Sequence, residues 1–188
     1  MVSYETIRLW CQKFGLDYAR KLKRRQGRLG DNWHLDEVFI RINGRQQYLW
    51  RAVDQDGDVI DILVQPRRDQ RAAERFFRRL LRGQGQEPIR VVTDRLRSYP
   101  AAMRTILCNV VHSVERYANN RAEASHQPTR QRERQMRRFK SAVQAQRFLS
   151  LHGVVQNLFR VGRHLLRSCN HRFLRSRSFA TLRTATAA

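Results

Sequence analysis

Residues 33–64, WHLDEVFIRINGRQQYLWRAVDQDGDVIDILV, decide the fold. Runs of β-branched and aromatic residues alternate here with turn signals. Residues 33–42 read as a first strand, and Asn43-Gly44 is the strongest short-range signal for a hairpin. Residues 46–53 read as a second strand, carrying Tyr48, Leu49, Trp50 and Val53. Asp54-Gln55-Asp56-Gly57-Asp58 turns the chain, Val59 to Val64 forms a third strand, and Pro66 ends it. A calcium loop is excluded at this turn, because its glycine is misplaced and Gln65 stands where a bidentate Glu is required. The sequence predicts a solvated hairpin turn instead.

Outward from this meander, residues 69–82 predict a helix with Ala72, Ala73, Phe76, Phe77, Leu80 and Leu81 on one face. Gly83 and Gly85 stop it. A strand at 89–93, a short helix around 95–103 and a fifth strand from Thr105 to Val111 follow. Three antiparallel strands followed by alternating helix and strand predict an α/β mixed five-stranded sheet flanked by helices. A long helix from Phe139 to about Leu166 follows, with Phe148, Leu151, Val155, Leu158 and Phe159 on its apolar face. At the other end, Ser3 caps a helix over residues 3–14 that buries Trp10. Gly15 breaks this helix, and a basic piece runs from Asp17 to about Arg25. Gly27 and Gly30 mark a linker. The tail from about Asn170 is basic and Ser/Thr-rich, and is expected to be disordered.

The charge is lopsided. The chain has 188 residues with 38 Lys+Arg against 16 Asp+Glu, a formal net charge of +22. Such a balance attracts polyanions, and arginine forks onto phosphate, so nucleic acid is the expected partner. An anionic membrane surface is the competing partner for such a charge, set aside here in favour of nucleic acid with no membrane partner expected; no run approaches the roughly 18 apolar residues of a spanning helix, nor does the N-terminus read as a signal peptide. Cys11, Cys108 and Cys169 are odd in number and far apart, which fits a reducing cytoplasm and excludes a disulfide framework.

Against this background the few acids stand out. Asp36 lies inside the first strand, Asp94 closes the strand at 89–93, and Glu123 follows Asn119-Asn120-Arg121-Ala122 at the start of a helix. A carboxylate in a buried strand costs desolvation energy unless something compensates it, and a divalent cation does so. Metal-dependent phosphodiester cleavage needs two or three carboxylates converging on one point. Glu37 alternates to the opposite face of the strand and reads as structural or supporting. His34 and His126 read more readily as packing or hydrogen-bonding histidines than as site residues, and Asn119 and Asn120 as shapers of the turn before Glu123.

The blocks WHLDEVFIRINGRQQYLWRAVDQDGDVID (33–61), VVTDRLRSYP (91–100) and RYANNRAEASHQPTRQRERQMRRFKS (116–141) resemble bacterial insertion-sequence DDE transposases with an integrase-like core, of the IS-six type. The resemblance runs from Trp33 to Ser141 and implies an RNase H-like fold. It implies Asp36, Asp94 and Glu123 as catalytic residues and ligands of two Mg²⁺ ions, with Mn²⁺ as a substitute. It also implies a basic residue seven positions after the Glu, where Arg130 stands.

Along the same run Arg132, Arg137, Arg138 and Lys140 are candidate DNA contacts. VSYETIRLWCQKFG resembles only the recognition helix of the family's helix-turn-helix, so the copy reads as N-terminally truncated. Thr6 and Arg8 on that helix are candidate major-groove contacts. The expected organisation is a partial helix-turn-helix and linker over 1–30, a catalytic core over 31–168 and a basic tail over 169–188. The implied activity is Mg²⁺-dependent strand cleavage at transposon ends and strand transfer into target DNA. The protein would work in the cytoplasm at the nucleoid, as a homodimer or higher assembly on terminal inverted repeats and target DNA. The competing reading is a basic nucleic-acid-binding protein without catalysis, or a degraded transposase that only binds DNA. Asp36 argues against the first, since a polyanion binder gains nothing from an acid inside a strand.

Overall fold

The computed structural model describes residues 2–27, 29–115, 118–128, 130–131, 139–160 and 166–187, apart from the side chains of Arg121 and Glu123. The chain divides into two units, one of residues 29–146 and one of residues 1–28 with 147–188.

In the first unit, β1 (Asn32–Ile42), β2 (Arg45–Val53) and β3 (Val59–Gln65) form the antiparallel meander. Asn43 and Gly44 both take positive φ, 50° and 74°, as a two-residue hairpin requires. β4 (Arg90–Val92) and β5 (Val111–Ser113) add in parallel on the other side of β1, giving the order β3-β2-β1-β4-β5. This mixed five-stranded sheet has the strand order and sense expected of an RNase H-like fold.

One face of the sheet is packed by α2 (Gln70–Gln84) and α3 (Ser98–Ile106). Asp69 caps α2 by accepting from the Ala72 amide at 2.8 Å, and Gly85 ends it in the left-handed region at φ 71°. Trp33, Leu35 and Trp50 from the sheet meet Phe76 and Phe77 of α2 and Tyr99 of α3 in a fully buried core. Trp50 meets Tyr99 edge-to-face at 5.5 Å between ring centroids, a geometry worth about 1 kcal/mol beyond burial.

Two local expectations change. The fifth strand begins at Val111, because Thr105 and Ile106 belong to α3, which closes only when the Leu107 amide donates to Met103 at 2.8 Å. The 54–58 segment is a turn, but Asp54 is buried rather than solvated. Its carboxylate accepts from the amides of Gly30, Asp56 and Asp58 at 3.0, 3.0 and 2.8 Å.

The long C-terminal helix starts later than expected and ends at Phe159, and residues 161–165 of its expected span lie outside the described residues. Here α4 is Asn120–Ser125 and α5 is Ala142–Phe159. Ser141 sets the start of α5 by accepting from the Gln144 amide at 3.1 Å. Gln146 then pairs with the edge strand, accepting from Val64 N–H and donating to the Ile62 carbonyl, both at 2.8 Å. A side chain so placed satisfies backbone groups that an open sheet edge would leave unpaired.

The second unit corrects three expectations. α1 (Tyr4–Lys23) runs straight through Gly15, and residues Ser168–Thr186 form a helix, α6, where a disordered tail was expected. Leu22 of α1, Val154 of α5 and Ala185 of α6 are buried together, with Leu151, Val155, Leu158 and Leu182 packed around them. Tertiary burial here outweighs the roughly 1 kcal/mol that glycine costs inside a helix. Trp10, expected in a core, is 52% exposed. No helix of the described residues is long and apolar enough to cross a membrane.

Candidate active site

The register between β1 and β4 builds the site. His34 pairs with Val92, where β4 ends. Two residues further along each chain stand Asp36 and Asp94. Their carboxylates, together with that of Glu37, place one oxygen each within 4.8 Å of one another. The structure thus brings together two of the three acids predicted from sequence. The third, Glu123, lies in α4, and its side chain is outside the described residues.

Each member is held by identifiable contacts. Asp94 accepts from the Leu96 amide at 3.0 Å, which turns the chain away from β4, and Thr93 Oγ1 donates to the Asp94 carbonyl at 2.7 Å. The segment leading to α4 is stapled to β1. Asn119 Nδ2 donates to the Leu35 carbonyl at 2.7 Å, and His34 Nδ1 lies 3.1 Å from the Ala118 carbonyl. Asn119 therefore does more than shape a turn, since it fixes the start of the Glu123 helix beside Asp36. His126, beyond α4, is buried with Nε2 3.3 Å from Asp36 Oδ2. Across the ladder from Asp36 stands Arg51, 2% exposed, an opposite charge on the same face.

Glu37, read from the sequence as structural or supporting, joins this group. Its side chain does lie on the α2–α3 face, where Tyr99 donates its hydroxyl to Oε2 at 2.6 Å and Arg68 Nη1 lies 3.5 Å from Oε1. It reaches the other two acids where β4 has ended: β1 pairs with β4 only as far as His34 with Val92, so among the described residues no strand flanks Asp36 and Glu37 on that side. Burial, reinforced by Asp94 and Asp36, pushes the Glu37 carboxyl up to about 7 against the pull of Tyr99 and Arg68. Burial and Asp36 likewise raise Asp94, opposed by the Leu96 amide and Arg68.

The acids open onto a cleft of about 610 Å³ lined by Asp36, Thr93, Asp94, Arg95, Glu115, Asn119, His126 and Arg130. Arg130 is exposed, one turn after His126, whose carbonyl accepts its amide at 3.0 Å. Lys140 is not part of this lining. Its carbonyl accepts from Asn43 Nδ2 at 2.7 Å, at the hairpin tip. Asn43 lies seven residue steps beyond Asp36 along the chain, roughly 23 Å at about 3.3 Å per residue. Arg132, Arg137 and Arg138 lie outside the described residues. Thr6 and Arg8 belong to the other unit. Thr6 Oγ1 bonds Ser3 Oγ at 2.8 Å, and Arg8 is engaged with Glu5 and Tyr4 at 3.0 and 2.8 Å.

The donor set suits a hard divalent cation. Mg²⁺ takes oxygen ligands and binds through one or two carboxylates, keeping waters and substrate phosphate in its remaining positions. Asp36 and Asp94 supply such carboxylates at the cleft. Burial foremost, and then the nearby Asp36, raise the Asp94 pKa, and a cation between the two carboxylates would offset both.

Residues 30–162 match the family model for the DDE domain of IS240-type transposases. The chain is 30% identical over 130 residues to the transposase for insertion sequence-like element IS431mec of Staphylococcus aureus strain Mu50. It matches the transposase for insertion sequence element IS257 in transposon Tn4003 of the same species equally well. Each alignment covers 66% of this chain and 58% of the relative, so the chain spans little more than half the length of these proteins. Among solved structures, the HTLV-2 integrase catalytic core domain in complex with magnesium gives a TM-score of 0.49 at 12% identity, over 77% of this chain and 94% of that one. By its family match, spanning well over half its length, the chain belongs to the DDE-domain family of insertion-sequence transposases.

Proposed function

We propose that this protein is a DNA transposase whose cleft cuts phosphodiester bonds at the terminal inverted repeats of a mobile element and joins the freed 3′-hydroxyl to target DNA. The observation that carries the reading is the convergence of Asp36 and Asp94 at neighbouring strand positions, within 4.8 Å, in an open cleft.

In this reading Asp36 and Asp94 hold two Mg²⁺ ions, with Glu123 as the third carboxylate and Mn²⁺ as an acceptable substitute. Bound Mg²⁺ supplies Lewis-acid stabilisation of charge on the scissile phosphate. His126 restrains the Asp36 carboxylate from the protein side. Arg130, at the rim, grips a DNA phosphate near the cut, and Arg132, Arg137, Arg138 and Lys140 extend the basic contact along the backbone. Thr6 and Arg8 contribute base contacts from the helical unit once their present hydrogen bonds are exchanged. Two protomers pair on DNA to bring both ends together, acting at the nucleoid in the cytoplasm.

The test is nicking of supercoiled plasmid DNA with Mg²⁺ or Mn²⁺. Cleavage by the wild type, lost with chelator and lost in Asp36→Asn, supports the reading. Tight, salt-sensitive DNA binding with no cleavage under any divalent cation would replace it with a non-catalytic binder.

A further inference from the structure

Glu37 is a carboxylate that the family motif does not assign. Its side chain is 1% exposed, behind β1 as seen from the cleft. An acid serving only to accept from Tyr99 would gain nothing by leaning toward other acids. Yet one Glu37 oxygen lies within 4.8 Å of oxygens on both Asp36 and Asp94. Three carboxylates at that spacing repel one another, and Arg68, whose side chain is 48% exposed, is a weakly compensating partner.

A second observation points to a ligand at the same place. His126 lines the cleft beside Asp36, and its buried Nδ1 has no hydrogen-bond partner among the described residues, while Nε2 faces Asp36 Oδ2 at 3.3 Å. Buried polar atoms are ordinarily satisfied, and exceptions cluster where an ion or water binds. A cation held between the acids would offset their mutual repulsion and the charge of Glu37.

We infer that Glu37 is a further ligand of the metal centre, approaching the cation from the α2–α3 side of β1 with its carboxylate oriented by the Tyr99 hydroxyl. This rests on the metal-dependent reading above and adds a residue to it. Tyr99 is a positioning residue in this scheme. It occupies Oε2 at 2.6 Å and leaves Oε1, 3.5 Å from Arg68 Nη1, for the cation.

The test is Mn²⁺ affinity of the full chain, followed by the electron paramagnetic resonance of free Mn²⁺ with no DNA present. The wild type binds, Asp36→Asn loses binding, and Glu37→Gln weakens it by about 10-fold or more. Glu37→Gln keeps an oxygen for Tyr99, and a thermal melt confirms its fold. Wild-type affinity in Glu37→Gln, with binding lost in Asp36→Asn, overturns this inference and leaves the proposed function standing. Absence of binding in the wild type overturns both. If Glu37→Gln does not fold, Tyr99→Phe carries the test: weakened Mn²⁺ binding supports the inference, and unchanged binding refutes it.

Discussion

The imidazole of His126 stands 3.3 Å from Asp36, with Nε2 facing Oδ2 and the ring side chain only 3% exposed. Burial holds the ring's pKa below its ordinary value, against the pull of Asp36, and Arg51 and Arg130 push it the same way as burial. The ring is therefore neutral near pH 7 and restrains Asp36 without cancelling its charge. The element after α4 thus locks a residue of β1, and the Asn119 bond to the Leu35 carbonyl adds a second clasp between the same segments.

Loss of this restraint is expected to slow cleavage rather than abolish it. Groups that orient metal-binding side chains typically contribute 10–100-fold, so His126→Ala lowers the nicking rate by about that factor. The measurement is single-turnover nicking at saturating Mn²⁺, with circular dichroism to confirm folding. An unchanged rate would reduce His126 to a space-filling role.

Asp36→Asn and Asp94→Asn are each expected to reduce nicking to background while salt-sensitive DNA binding persists or rises, since each removes a negative charge from a basic protein. Glu123→Gln is expected to do the same. Nicking assays run beside filter binding separate the two properties. Residual wild-type cleavage in any one variant removes that residue from the catalytic set.

Glu37 gives the metal-free protein a pH signature. Its folded pKa, about 7, lies above the ordinary 4.5, so the folded state binds the proton more tightly than the unfolded state. The resulting stability is fully present below about pH 4.5 and is lost as pH rises through 7. Glu37→Gln, which is always neutral, should therefore melt higher than wild type at pH 8 and close to it at pH 5, with a difference on the order of 1–3 kcal/mol. Melting curves in chelator across this range decide it. A variant that destabilises equally at both pH values contradicts the assignment.

Much of this was legible in the chain. The meander was readable because Asn43-Gly44 dictates its own backbone conformation, and Asp36 and Asp94 were conspicuous as acids closing or interrupting apolar runs in an acid-poor protein. The approach of Glu37 to the other two acids is not legible in the sequence. Its reach depends on β4 stopping at Val92, and where a strand ends is set by pairing rather than by local pattern. The helical unit was misread for a related reason. Gly15 and the basic tail look like breakers locally, and only contacts between residues distant in sequence, such as Leu22 with Val154 and Ala185, hold α1 and α6 as helices.

Gly15 itself offers a stability test. A Cβ built there would meet Leu151 Cδ2 at 3.6 Å, ordinary van der Waals contact, and the residue sits inside a continuous helix. Gly15→Ala should then stabilise the protein by roughly 0.5–1 kcal/mol by reducing the freedom of the unfolded chain. A higher melting temperature confirms it. A lower one means that α1 and α5 approach too closely at this point for an added methyl.

Arg130 tests the link between the cleft and DNA. It lies on the rim of the cleft that Asp36 and Asp94 line, one turn past His126, so a phosphate held there sits next to the acids. If it contacts backbone rather than base, Arg130→Ala weakens binding about equally across sequences and lowers the slope of log affinity against log salt by about 1. It also reduces cleavage beyond the loss in affinity, because the phosphate is less well placed. Titrations at several salt concentrations, paired with single-turnover nicking, measure both effects. A changed affinity with an unchanged slope would show that Arg130 acts through the fold and not through phosphate.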